Sequence, residues 1–146
     1  MVTRARDSGP LAREIAHTAD LGLEVEAPTL PVLFERAGLA ILALMLDLAA
    51  VEPRERVTLA IDAPGTEELL HDWLQDLAVR AQTGGLVACE LEVTHLDAGS
   101  VRGAAAGERM DPARHRLRTE LKGVTYHQLA VRRTAAGWGA RVILDV

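Results

Sequence analysis

At 146 residues the chain fits a single domain, long enough to bury about two-thirds of the surface its unfolded form exposes. It is 49% hydrophobic and 25% charged but only 3% aromatic, so a core must be assembled from Leu, Val, Ala and Ile. A formal net charge of −5 argues against a broad, non-specific nucleic-acid surface, and a single cysteine, Cys89, excludes an internal disulfide or a multi-cysteine zinc site.

Residues 1–14 read as a flexible lead-in. They hold Arg4, Arg6 and Arg13 but no apolar run of the kind a secretory signal requires. Leu21, Leu23 and Val25 then alternate with Gly22, Glu24 and Glu26, the period-2 pattern of a half-buried strand. Thr29 is placed to cap a helix, with Pro31 tolerated in its first turn. Leu30, Leu33, Phe34, Ala37, Ile41, Leu44, Met45 and Leu48 follow at spacings of three and four, and so broad an apolar face predicts deep burial. The longest apolar run, Leu39 to Leu46, falls far short of the ~20 residues of a spanning helix, so a cytoplasmic protein with no membrane partner is expected.

Val57, Leu59 and Ile61 alternate as the next strand. Thr66-Glu67-Glu68 opens a second helix, with carboxylates near its positive end and a stripe of Leu69, Leu70, Trp73, Leu74 and Leu77. After Gly84-Gly85, Val87, Cys89, Leu91 and Val93 share one face of a long strand, which makes Cys89 a small buried hydrophobe rather than a nucleophile. Asp97 to Ser100 is a turn, Val101 starts a strand of small residues, and Gly107 to Arg118 looks irregular. Two last strands are expected around Leu121 to Arg132 and Trp138 to Leu144. The fold class is α+β: one domain, with a mixed or mainly antiparallel sheet packed against two main helices.

Two aspartates stand out because each carboxylate adjoins an apolar strand, where a charge is costly unless something pairs with it. Asp20 precedes the first alternating run, and Asp145 follows Val142-Ile143-Leu144. With Val146 ending the chain, a terminal carboxylate sits beside Asp145. If folding brings the two ends together, carboxylates ~5 Å apart at an effective dielectric near 20 repel by about 3 kcal/mol. A cation, a proton or splaying into water relieves that repulsion. Only oxygen donors are on offer, which favours calcium, magnesium or manganese over zinc. His115 and His127 have no second histidine or cysteine at ligand spacing. Arg114, Arg116 and Arg118 alternate and would point one way on an extended segment, as an RNA or partner contact or simply as a solvated face. Lys122 read alone is a solvated strand lysine.

Five segments together carry a resemblance. His17-Thr18-Ala19-Asp20-Leu21-Gly22, Asp72-Trp73-Leu74, Asp111-Pro112-Ala113-Arg114-His115, Lys122-Gly123-Val124-Thr125-Tyr126-His127 and Leu144-Asp145-Val146 resemble the archease family in wording and order, from about Ile15 to Val146. The resemblance implies a metal-binding protein cofactor of an RtcB-type tRNA ligase, which promotes ligase guanylylation and repeated turnover in tRNA splicing or RNA repair. Such a protein is not itself an enzyme, and its contact with RNA is indirect or local. It implies calcium, with magnesium or manganese as alternatives, held by Asp20, Asp145 and Val146, and a role for Lys122 in activating the ligase. His17 is placed to orient Asp20, or to serve as an ordinary structural histidine. Val79 to Gly85 departs from the family, which tends to carry aromatic residues there. The same aspartates also suit a stand-alone metal-dependent hydrolase or nuclease, although no general base is evident beside them. A chaperone-like adaptor is the third reading.

Overall fold

The computed structural model describes residues 1–7, 9–16 and 20–146. Among them are nine strands and two α-helices: β1 (Val2–Arg4), β2 (Arg13–Ala16), β3 (Leu21–Ala27), α1 (Leu30–Met45), β4 (Glu55–Asp62), α2 (Thr66–Gln82), β5 (Leu86–Leu96), β6 (Ser100–Arg109), β7 (Gly123–Val124), β8 (Ala130–Thr134) and β9 (Gly137–Asp145). The α+β expectation is met, with two sheets instead of one. The first runs β1-β5-β6-β4 and the second β2-β3-β9, with β7 and β8 both paired to β9. Every strand pair is antiparallel.

The helices lie between the sheets. α1 contacts β1 and β5 on one side and β3 and β9 on the other, while α2 rests on β4, β5 and β6 and also touches β7 and β8. That placement accounts for the breadth of the α1 apolar face, since residues from Val32 to Met45 are buried nearly all round. The helix starts where the cap predicts, the Thr29 hydroxyl accepting the Val32 N–H at 3.4 Å with Pro31 in the first turn. The two helices approach closely at Gly38. A Cβ there would meet Leu91 Cδ1 at 2.5 Å and Leu77 Cδ1 at 2.8 Å. Trp73 is the largest fully buried side chain; its Nε1–H donates to the Phe34 carbonyl at 3.0 Å, and its ring lies tilted 6.3 Å from that of Phe34. Cys89 is buried at a bulge of β5, and burial pushes its thiol up to about 11, so it is an inert core residue.

Two segments differ from the sequence-based expectation, and a third keeps the irregular character expected of it. The N-terminal lead-in contributes a strand: β1 pairs with β5, and Thr3 is buried with its hydroxyl donating to Glu35 Oε1 at 2.6 Å. Beyond β6, which reaches Arg109, residues 110–118 are irregular as expected, with a turn at 112–114, so Arg114, Arg116 and Arg118 share no extended strand. Arg114 pairs with Glu108 at 2.7 Å, whereas Arg118 donates from its amide to the Met45 carbonyl and from Nη2 to the Ala43 carbonyl, satisfying the open end of α1. The strand expected over Leu121 to Arg132 is broken into β7, a tight turn at 126–129 and β8. The reason is that its main-chain groups are claimed by the side chains of α2.

Candidate metal and partner site

The β3–β9 register brings the two aspartates together. Leu21, the first residue of β3, pairs with Leu144, so Asp20, which precedes β3, and Asp145, which ends β9, flank the same closing rung. Leu23, Val25, Val142 and Leu144 form the face turned to the helices, so strand alternation directs Asp145 to the opposite face. Asp145 and Val146 are exposed and Asp20 is half-buried. Lys122 is exposed, and its amide donates to the Asp145 carbonyl at 2.8 Å, while Gly123 pairs with Asp145 in β7. Three of the predicted residues thus meet at one end of the second sheet. His17 lies outside the described residues.

A polar stripe on α2 holds the Lys122 segment in place. Glu67 Oε2 accepts the Val131 N–H at 3.1 Å, His71 Nε2 donates to the Val124 carbonyl at 2.7 Å, and Gln75 Oε1 accepts the Val124 N–H at 3.0 Å. Gln82 closes a pair with Leu121, its amide donating to the carbonyl at 3.0 Å and its oxygen accepting the N–H at 2.7 Å. Positions 67, 71, 75 and 82 recur at helical spacing on one face, beside the apolar stripe. This stripe is what sequence reasoning missed. Its signal was legible as polar residues at i, i+4 and i+8 on a helix otherwise aimed at the core, but the partner segment was not.

The donor set suits a hard cation. Among the described residues no three His, Cys, Asp or Glu side chains gather closely enough to hold a metal. The implied site therefore rests on two carboxylates and a main-chain oxygen of Val146. An oxygen-only set with few protein donors fits calcium or magnesium and leaves coordination positions for water or for groups of a partner.

Comparison with known proteins decides the family. Residues 13–146 match the profile of the Archease protein family (MTH1598/TM1083). The chain belongs to the archease family. It is 40% identical to the protein archease of Methanopyrus kandleri, over 91% of this chain and 97% of that one. It is 32% identical to the Methanosarcina mazei archease, over 90% and 93%. The solution structure of Methanobacterium thermoautotrophicum protein 1598 superposes with a TM-score of 0.77 at 30% identity, covering 92% of this chain and 98% of that one. A crystal structure from Thermotoga maritima, described as an archease and possible chaperone, shares the fold at a TM-score of 0.57 and 19% identity, covering 92% and 96%.

A fourth archease-like segment, Asp111 to His115, builds a buried polar cluster instead of a ligand site. His115 Nδ1 accepts the Asp111 N–H at 2.9 Å, which leaves Nε2 to donate to Glu108 Oε1 at 2.8 Å. Arg114 and Arg54 pair with the other carboxylate oxygen at 2.7 and 3.3 Å, and the Glu52 N–H donates to Oε1 at 3.2 Å. Burial pushes the Glu108 carboxyl up, but the hydrogen bonds from His115, Arg114 and the Glu52 amide outweigh it and hold the group at about 2. A carboxyl depressed in the folded state stabilises the protein above its unfolded value, ~4.3, and that contribution fades as pH falls toward 2. Glu108→Gln is expected to flatten this acid limb, measured as chemical unfolding at stepped pH; an unchanged slope would assign the limb to other carboxylates.

Proposed function

We propose that this archease is a metal-binding protein cofactor of an RtcB-type RNA ligase, acting in the cytoplasm to promote ligase guanylylation and multiple turnover in tRNA splicing or RNA repair. The observation that carries the reading is the convergence of Asp20, Asp145 and Lys122 at one sheet end, in a chain of this family. Asp20, Asp145 and a Val146 main-chain oxygen would hold the cation, probed first with calcium and then with magnesium or manganese. A bound cation there would supply a site of positive charge whose remaining positions accept groups from the ligase or its nucleotide. Lys122, an exposed point charge beside it, is suited to a phosphate. The chain carries out no ligation itself, and RNA is met only indirectly or locally. No helix among the described residues is long and apolar enough to cross a membrane.

The test is ligase guanylylation with and without the protein, repeated with Asp20→Ala, Asp145→Ala and Lys122→Ala. Stimulation by the wild type and a drop of about tenfold or more in each variant is expected, together with loss of calcium binding by calorimetry in the two aspartate variants only. No stimulation by the wild type would overturn the reading. Aspartate variants that stimulate normally would leave a chaperone-like adaptor without a metal role. Turnover of RNA or phosphoester substrates by the protein alone would replace the reading with a hydrolase or nuclease. Extending the chain past Val146 should weaken metal binding if a carboxylate at that residue is a ligand.

A further inference from the structure

The most exposed aromatic side chain lies on the segment that carries Lys122. Tyr126 is 58% exposed, yet it is held in place: its ring stacks on His71 with centroids 3.9 Å apart and planes 12° from parallel. His71 is itself tied down at both nitrogens, Nε2 on the Val124 carbonyl and Nδ1 at 2.8 Å from Asp72 Oδ1. The loop behind Tyr126 is equally constrained. The Thr125 hydroxyl donates to the Ile143 carbonyl and accepts the His127 N–H, the Leu129 N–H donates to the Tyr126 carbonyl, and Gln128 takes a left-handed φ of 54° without being glycine. Strain of that kind in an exposed turn persists only where surrounding contacts impose it, and it concentrates at sites that present a side chain to a ligand.

One face of the ring is therefore covered and the other is open, and the rim is acidic. Asp72 sits beside the stack, and Glu67 and Glu68 lie in the first turn of the same helix. Asp145 lies at the far end of the β7 segment, where the Lys122 amide donates to its carbonyl. The Tyr126 hydroxyl is pushed up by burial of its covered side and by the Asp72 and Glu68 carboxylates, in keeping with a negative surround. A nucleobase would bring its phosphates against this charge, whereas a guanidinium is planar, stacks on aromatic faces and forks to carboxylates.

We propose that the open face of Tyr126, rimmed by Asp72 and Glu68, is the docking site for an arginine side chain of the partner protein. The inference rests on the reading that this archease works on a protein partner, and it adds where that partner is gripped: on the segment that α2 holds next to Asp145. His71 serves as the floor that keeps the ring flat and turned outward. Arginine stacking on Tyr126 with a fork to Asp72 couples partner binding to the position of Lys122, four residues back on the same pinned segment.

The test is the affinity of the RtcB-type ligase for the wild type, Tyr126→Leu, Tyr126→Phe and Asp72→Asn, by calorimetry at two salt concentrations, with thermal unfolding of each variant alongside. Tyr126→Leu should bind roughly tenfold more weakly, Tyr126→Phe within about twofold of the wild type, and Asp72→Asn more weakly with a shallower salt dependence, all with folding intact. Binding of wild type and Tyr126→Leu with equal affinity would overturn the docking site and leave the proposed function standing. Absence of any ligase binding by the wild type would overturn both. Equal losses for Tyr126→Phe and Tyr126→Leu would assign the effect to the hydroxyl and overturn the stack. If Tyr126→Leu instead lost affinity for a single-stranded RNA oligonucleotide while holding the ligase, the ring would be a base platform and the proposal would fail.

Discussion

Trp73→Ala is expected to destabilise the fold by about 4 kcal/mol, read as a fall in denaturation midpoint and a Tm drop on the order of 10 °C. The indole is fully buried where α2 meets α1, and its Nε1–H donates to the Phe34 carbonyl. Truncation removes the largest side chain of an aromatic-poor core and opens a cavity that Leu77, Leu91 and Phe34 can fill only in part. Trp73→Phe keeps a ring in the space and loses one hydrogen bond, so about 1–2 kcal/mol is expected. Equal effects from both substitutions would show that the hydrogen bond, not the volume, is what matters there. Ligase stimulation should survive Trp73→Phe, because the Trp73 ring is turned into the core, where it holds the two helices together.

Glu35→Ala is expected to cost about 3 kcal/mol, an unusual amount for removing a carboxylate. Glu35 is fully buried in α1, with Oε1 accepting the Thr3 hydroxyl at 2.6 Å and Oε2 accepting the Val93 N–H at 2.8 Å. It fastens β1 and the bulged stretch of β5 to the helix, and alanine leaves both donors buried and unsatisfied. Burial pushes this carboxyl up, against the smaller pull of its two donors. A carboxyl raised in the folded state adds stability below its unfolded value, ~4.3, and loses that contribution as pH rises through its folded value. The sign is opposite to that of Glu108, so the two oppose each other across the acid limb. Glu35→Gln retains the shape and can serve both partners; it should match or exceed the wild type above neutral pH and lack the wild-type decline. A Glu35→Gln protein that is weaker than wild type at pH 8 would mean that the ionised carboxylate is favoured in place, contrary to the argument.

Much of the architecture was legible in local pattern. Alternation at Leu21 to Val25 and at Val87 to Val93 yields β3 and β5, the Thr29 cap begins α1, and the leucine stripe around Trp73 becomes the buried face of α2. These features are legible because period and capping depend on residues within one element. The segments that were misread share a different property. Thr3 is buried because a carboxylate 32 residues away needs its hydroxyl. Leu121 to Val131 is broken because four side chains of α2 satisfy its main chain, and Arg118 turns back to cap α1. Each of those outcomes is a hydrogen bond between residues far apart in sequence, invisible to a local window.

The candidate site divides the same way. Sequence by itself determined which groups are available: two aspartates bordering apolar strands, a lysine in an ordered run of family motifs, and oxygen donors with no thiolate or histidine pair. It also determined the family, since the motif order alone pointed to the archeases. Only the tertiary structure decided that β3 and β9 pair in the register that puts Asp20 and Asp145 at the same end of the sheet, and that Lys122 is tied to Asp145 through its own amide. It alone lifted Tyr126 out of a motif and onto His71. The physical reason is that charge type and hydrophobic period are properties of single residues and short windows. Strand register and the placement of a pinned loop are instead set by which distant groups satisfy one another.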